Sequence, residues 1–163
     1  MATSFRPAVL FVCLGNICRS PLAEAALRRA AEEAGIDIEV ESAGTGNWHI
    51  GDAPDPRAQA VALRNGVDIS RYQARQVEPA DFTRFDHIFA LDRDNLAALR
   101  ALRPADATAR LGLLLDVVTG REGHAVIDPY YGNDAGFDLT WQDVAAAAQA
   151  LVARFAPLEA QVE

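Results

Sequence analysis

Lysine is missing from this chain: all 15 basic residues are arginine. No side chain can therefore form a lysine Schiff base. Positive charge is in short supply as well, because 23 acidic residues leave a formal net charge of −8. That balance argues against the broad basic face that holds nucleic acid. Cysteine is scarce, with only Cys13 and Cys18 present. Two cysteines cannot supply the disulfide framework of a small secreted domain, nor close a structural zinc site without histidine. His49, His87 and His124 are scattered without ligand spacing. They are expected to be surface or hydrogen-bonded polar residues, and no metal site is expected. No apolar run approaches the ~20 residues that cross a membrane. The N-terminus lacks a signal-peptide pattern. A cytoplasmic protein with no membrane association is expected.

What is present is the material of a folded core. Half of the 163 residues are apolar and 23% are charged, as in ordinary globular proteins. One domain is expected over residues 1–163, with its core at about residues 7–156. Ala8–Val12 is a continuous apolar run of the kind found in a buried parallel strand. Ser20 is placed to cap the next helix, with Pro21 in its first turn. That helix is expected to run to about Ala34 and stop at Gly35. Ile38–Ser42 reads as a second strand. Ala43–Pro56, rich in Gly, Pro, Asp and Asn, reads as a long loop. Arg57–Asn65 is helical and ends at Gly66. Gln73–Gln76 has no clear pattern, and Pro79–Phe85 suggests a short helix. His87–Leu91 reads as a third strand, followed by a helix over Arg93–Leu102 capped by Asp92. Leu111–Leu115 is a fourth strand. Thr119–Phe137 reads as loop, and Trp141–Phe155 as a long helix capped by Thr140.

Strands alternating with helices imply an α/β fold in three layers: a four-stranded parallel sheet with helices on both faces. Ligands in such sheets bind beyond the carboxyl ends of the strands. Cys13, Asp92 and the loop after Ser42 all fall on that rim. Chemistry is therefore sought there.

The stretch Val12-Cys13-Leu14-Gly15-Asn16-Ile17-Cys18-Arg19-Ser20-Pro21 reads as strand, tight loop, helix. Such a loop aims backbone N–H groups and a helix N-terminus at one anion. Gly15 allows a positive φ and close backbone approach. Asn16 tolerates the left-handed conformation, and its side chain can pin the loop. Arg19 offers a planar fork for two phosphate oxygens. Ser20 can hydrogen-bond the Cys13 sulfur. These surroundings favour a thiolate nucleophile at Cys13. A thiolate that attacks phosphorus needs a proton donor for the departing oxygen. The best candidate is Asp128, in Ile127-Asp128-Pro129-Tyr130-Tyr131. Ile127 and the two tyrosines are expected to desolvate it.

The Val12–Pro21 stretch together with Asp128-Pro129-Tyr130-Tyr131 resembles the low-molecular-weight protein tyrosine phosphatases. Ser42-Ala43-Gly44-Thr45-Gly46-Asn47-Trp48, Asp55-Pro56-Arg57, Ala74-Arg75-Gln76 and Asp92 with Asn95-Leu96 extend the match along nearly the whole chain. The resemblance implies hydrolysis of phosphotyrosine and aryl phosphates through a phosphocysteine on Cys13. Arg19 and the loop amides would bind the phosphoryl oxygens, and Asp128 would serve as acid and then base. It implies no metal and no cofactor. Asn16, Ser20 and Ser42, with Gly15, match positions that support the loop. Leu14, Ile17, Cys18, Trp48, Tyr130 and Tyr131 match the substrate crevice. Cys13 and Cys18 match a redox pair able to form a reversible disulfide. The implied partner is a tyrosine-phosphorylated protein, a bacterial tyrosine kinase among the candidates. Phosphate and other oxyanions would inhibit. Many relatives carry His where this chain has Tyr72; that His supports the loop asparagine.

Three other readings are weighed. Thioredoxin-coupled arsenate reductases share the fold and loop but need further cysteines downstream, which this chain lacks. Phosphoarginine phosphatases of the same family favour a small Thr where Ile17 stands. A non-catalytic phosphopeptide-binding module would have no need of Cys13, Arg19 and Asp128 together.

Overall fold

The computed structural model describes residues 6–160. It contains β1 (Ala8–Cys13), α1 (Arg19–Ala34), β2 (Glu39–Gly44), α2 (Pro56–Arg64), α3 (Asp81–Arg84), β3 (His87–Ala90), α4 (Arg93–Leu102), β4 (Arg110–Leu113) and α5 (Asp134–Ala160). A 3-10 turn, Leu114–Val117, follows β4. The strands form one four-stranded sheet in the order β2-β1-β3-β4. Every pairing is parallel. The α/β architecture expected from the sequence is the one observed.

β1 is central and buried throughout. Its side chains alternate between faces, as a period of two requires. Val9, Phe11 and Cys13 join the core formed with α1, α2 and α5. Ala8, Leu10 and Val12 face the opposite core, with Phe82 of α3 and Leu96 and Leu99 of α4. Helices therefore cover both faces, and a continuously apolar strand is the consequence. Fully burying a side chain such as Phe11 contributes about 1.5–3 kcal/mol. β1 is thus a rigid mount for the residue at its carboxyl end, Cys13.

Several boundaries differ from the sequence expectation. Ser20 does not cap α1. Cys18 holds the N-cap position, and no side chain caps the helix there. The Ser20 hydroxyl is used within the loop instead. Gly35 does end α1, in the left-handed conformation at φ 70°. β2 continues to Gly44, and β4 stops at Leu113 because Leu114 and Leu115 turn into the core. α5 begins earlier than expected, at Asp134, with the Asn133 side chain accepting from the Gly136 amide. Thr140 lies inside the helix and donates back to the Gly136 carbonyl at 3.0 Å. Gly136 masked this turn in the sequence, since glycine weakens a helical pattern.

Candidate active site

The carboxyl end of β1 runs into the loop Leu14–Cys18, and α1 starts at Arg19. Neighbouring segments grip the carbonyls of this loop from outside. The amides of Thr45 and Gly46 donate to the carbonyls of Cys13 and Leu14, both at 2.9 Å, and the Asp55 amide donates to the Ile17 carbonyl at 2.8 Å. Among the described residues, the amides of Gly15, Asn16, Ile17 and Cys18 donate to no protein acceptor. Carbonyls are turned out and donors left over, beside an uncapped helix N-terminus. That is the arrangement of an anion-binding nest.

Asn16 fixes the loop's shape. It is the one non-glycine residue with positive φ among the described residues, at 59°. Gly15 does not use a positive φ, contrary to expectation. Its missing side chain instead makes room for His49, whose Cδ2 would lie 3.1 Å from an added Cβ. The Asn16 side chain is buried. Its Oδ1 accepts from the Arg75 amide at 3.0 Å, which settles the amide's orientation. Its Nδ2 then donates to Ser20 Oγ at 2.7 Å and to Ser42 Oγ at 2.9 Å. The Ser42 hydroxyl donates to Glu24 Oε1 at 2.7 Å. Ser20 Oγ lies 3.0 Å from Cys13 Sγ. Ser20 Oγ accepts from Asn16, so its own hydrogen goes to the sulfur or to the more distant Ala43 carbonyl at 3.5 Å. Glu24, Ser42, Asn16 and Ser20 therefore form one chain that ends on Cys13.

Arg19 is buried at 3% exposure. Its Nη1 donates to Asp92 Oδ2 at 2.8 Å and to the Val126 carbonyl at 2.9 Å. Burial alone would weaken its charge. Cys13, Asp92 and Asp128 outweigh that and raise its pKa. Nη2 lies 3.7 Å from Asp128 Oδ2. Cys13, Arg19 and Asp128 line one cleft of about 290 Å³ with Leu14, Gly15, Ile17, Cys18, Trp48, His49, Tyr130 and Tyr131. A thiol, a guanidinium, free amides and a carboxyl group converge in a cleft with aromatic walls.

A family model described as low molecular weight phosphotyrosine protein phosphatase matches residues 8–162. The chain belongs to this family. A low molecular weight phosphotyrosine protein phosphatase of Schizosaccharomyces pombe is 43% identical over 132 residues, covering 79% of this chain and 84% of that one. The crystal structure of YfkJ from Bacillus subtilis superimposes with a TM-score of 0.86 at 38% identity, covering 94% of this chain and 97% of that one. A Drosophila arginine phosphatase structure gives a TM-score of 0.84 at 31% identity, over 90% and 96% of the two chains.

Trp48, Tyr130 and Tyr131 line the cleft. Trp48 lies against Gly46, where an added Cβ would overlap its ring, and is 68% exposed. Tyr130 and Tyr131 pack edge to face, with centroids 4.9 Å apart. Tyr131 is 95% exposed and Ile127 80%. They do not enclose Asp128, whose side chain is 41% exposed. The expected desolvation of that carboxyl is therefore not seen, because its neighbours point to solvent. Cys18 is buried, and its thiol pKa is raised by that burial and then by Asp55 and Cys13. Cys13 and Cys18 both line the cleft. Tyr72 is half-buried, with its pKa pushed up to about 12 by burial and then by Glu24. No described hydrogen bond joins it to Asn16, whose acceptor is filled by the Arg75 amide.

Several contributors escaped the sequence reading. Asp92 was expected on the rim and as a cap, but not as the partner of Arg19. It caps α4 through Oδ1 and holds Arg19 through Oδ2. His49 was expected to be an ordinary polar residue, yet it lines the cleft and pairs with Asp52 at 3.1 Å. Its position beside Trp48 was the available signal. Glu24 sits within a helix and gave none. Among the described residues no cluster could hold a metal ion, and no helix is long and apolar enough to cross a membrane.

Proposed function

We propose that this family member hydrolyses phosphotyrosine in proteins through a phosphocysteine on Cys13. The observation that carries this reading is the set of unpartnered loop amides around Cys13, with Arg19 and Asp128 in the same cleft. The Cys13 thiolate attacks phosphorus while the P–O bond to the tyrosyl oxygen breaks. Asp128, protonated, gives its proton to that oxygen. Arg19 and the loop amides hold the equatorial oxygens as charge redistributes on them. In the second step Asp128 takes a proton from water, the water oxygen attacks phosphorus, and the S–P bond breaks. Phosphate leaves and the thiolate is restored. Ser20 stabilises that thiolate in both steps, while Asn16, Ser42 and Gly15 keep the loop in shape.

Trp48, Tyr130 and Tyr131 offer flat apolar walls to an aryl ring, and Leu14, Ile17 and Cys18 complete the lining. Ile17 is partly buried against the core. A bulky apolar residue there favours an aromatic ester over phosphoarginine. The reading places the enzyme in the cytoplasm, acting on a tyrosine-phosphorylated protein such as a bacterial tyrosine kinase and inhibited by phosphate and other oxyanions. Cys18, adjacent to the nucleophile, is the partner for a protective disulfide under oxidation.

Purified protein should hydrolyse p-nitrophenyl phosphate and a phosphotyrosine peptide, and prefer the latter to a phosphoarginine peptide. Cys13→Ser should abolish turnover yet still bind vanadate. No hydrolysis by the wild type would overturn the assignment, and preference for phosphoarginine would replace it with the arginine-directed reading.

A further inference from the structure

Asp128 lies in a segment without regular secondary structure, between the 3-10 turn and α5. A general acid must be held within hydrogen-bond reach of the oxygen it protonates. The upstream side of this segment is anchored at Val126, whose amide donates to the Leu91 carbonyl and whose carbonyl accepts from Arg19. The downstream side has a different anchor. Arg57, in the first turn of α2, donates through Nη2 to the Tyr130 carbonyl at 2.9 Å and through Nη1 to the Gly132 carbonyl at 3.2 Å. Its guanidinium also lies 5.7 Å from the Tyr130 ring centroid and 4.7 Å from that of Phe137 in α5.

The guanidinium is itself held in one orientation. Asp55 Oδ1 accepts from the Arg57 amide at 2.8 Å and from Nε at 3.0 Å, and Oδ2 accepts from Nη2 at 2.9 Å. Asp55 is in turn tied to the nucleophile loop, because its amide donates to the Ile17 carbonyl at 2.8 Å. On the other side, the Tyr130 amide donates to Asp128 Oδ1 at 3.1 Å. A continuous path therefore runs from Ile17 through Asp55 and Arg57 to Tyr130 and Asp128.

We propose that Arg57 is a positioning residue that sets the distance between the nucleophile loop and the acid Asp128. This rests on the reading of Asp128 as the acid. Arg57 does not line the cleft that holds Cys13 and Asp128. It acts by fixing the backbone of Tyr130, to which the Asp128 carboxylate is bonded. Loss of the guanidinium frees the downstream half of the segment, and Asp128 then spends less time in reach of the leaving oxygen. The loss is felt most where protonation matters most, with poorly leaving oxygens. A merely structural role would lower the folded fraction and slow all esters alike.

The test is kcat/KM, which reports the step that expels the leaving group, measured per active Cys13 titrated with iodoacetate. Phenyl phosphate and p-nitrophenyl phosphate serve as poor and good leaving groups. Wild type, Arg57→Ala, Arg57→Lys, Asp128→Ala and the Arg57→Ala/Asp128→Ala double variant are compared. Arg57→Ala is expected to lower kcat/KM about tenfold for phenyl phosphate and about twofold for p-nitrophenyl phosphate, a fraction of what full loss of an acid costs. In the Asp128→Ala background it should add no leaving-group dependence. Arg57→Lys keeps the charge and the packing on Phe137, so it folds if the alanine variant does not. It should show the same graded loss, because an ammonium cannot span two carbonyls and Asp55. Equal slowing of both esters, or an unchanged graded loss in the Asp128→Ala background, overturns the proposal. If Asp128→Ala itself shows no leaving-group dependence, the acid reading falls and this proposal with it. If Asp128→Ala does and the Arg57 variants do not, only the role of Arg57 falls.

Discussion

Replacing Asn16 by alanine tests the physical basis of the loop. Asn16 donates to Ser20 and Ser42 and accepts from the Arg75 amide, at 2.7, 2.9 and 3.0 Å. Each such bond contributes about 0.5–1.5 kcal/mol net, and a buried donor left without a partner costs about 1–3 kcal/mol. The Arg75 amide would be that donor. Alanine must also adopt φ near 59°, which costs a residue with a Cβ about 1 kcal/mol more than asparagine or glycine. The two lost donor bonds, the orphaned amide and the backbone cost come to about 3–7 kcal/mol together. A domain near the middle of the ordinary range of about 5–15 kcal/mol stays folded after this loss. Urea unfolding of wild type, Asn16→Ala and Asn16→Gly gives the numbers. Glycine should recover about 1 kcal/mol relative to alanine, since it accepts the left-handed backbone without strain. Both variants should also turn over slowly, because the path from Glu24 to the sulfur is cut in each. A loss below about 1 kcal/mol for alanine would mean that the network does not hold the loop. Equal stability of the two variants would refute the role of the left-handed conformation.

Glu24 is buried, and burial raises its pKa against the opposing pull of Ser42 and Arg28. The unfolded chain therefore releases this proton first as pH rises. Native stability should fall from the ordinary carboxylate range up to the raised native pKa and level off above it; Glu24→Gln should remove that slope, and parallel pH profiles of unfolding free energy would contradict it. Gly44→Ala would set a Cβ 2.9 Å from the Leu14 carbonyl oxygen. Backbone must move there, so about 1–3 kcal/mol of stability should be lost and vanadate affinity should drop, while unchanged affinity would mean the loop tolerates the shift. Cys18→Ser should regain less activity than wild type when thiol is added after peroxide, because Cys13 then lacks a partner that halts its oxidation at the disulfide; equal recovery would count against the redox pair.

The sheet was legible because burial on both faces leaves a plain mark. β1 and β3 are short apolar runs, and the glycines after α1 and α2 mark real helix ends. The nucleophile loop was legible because its residue types are constrained one by one. What escaped were contacts made across long sequence separation. Nothing near Glu24 announces Ser42, and nothing near Arg57 announces the carbonyls of Tyr130 and Gly132. Helix starts were misread where a hydroxyl had a second use. Ser20 has the right chemistry for a cap, but its oxygen serves Asn16 and Cys13, and α1 is left uncapped. The misreading is informative, because a helix N-terminus without a side-chain cap keeps its free amides available for an anion.

The absence of lysine acquires a structural meaning at this rim. Three arginines brace the site, and each is gripped by an aspartate that also satisfies a backbone amide at or near a helix start. Asp92 caps α4 and holds Arg19. Asp55 caps α2 and holds Arg57. Asp81 opens α3, accepts from the Glu78 amide, and holds both terminal nitrogens of Arg75 at 3.0 and 3.1 Å. A carboxylate anchored at a helix start has little freedom, so the guanidinium bonded to it is fixed in direction as well as place. The rest of each arginine is then available to hold irregular chain: Arg19 takes the Val126 carbonyl, Arg57 those of Tyr130 and Gly132, and Arg75 offers its backbone amide to Asn16. An ammonium is a point charge on a flexible stem and does not transmit orientation in this way. The loops that carry the nucleophile and the acid are thereby referenced to rigid helices, although neither loop has regular structure of its own.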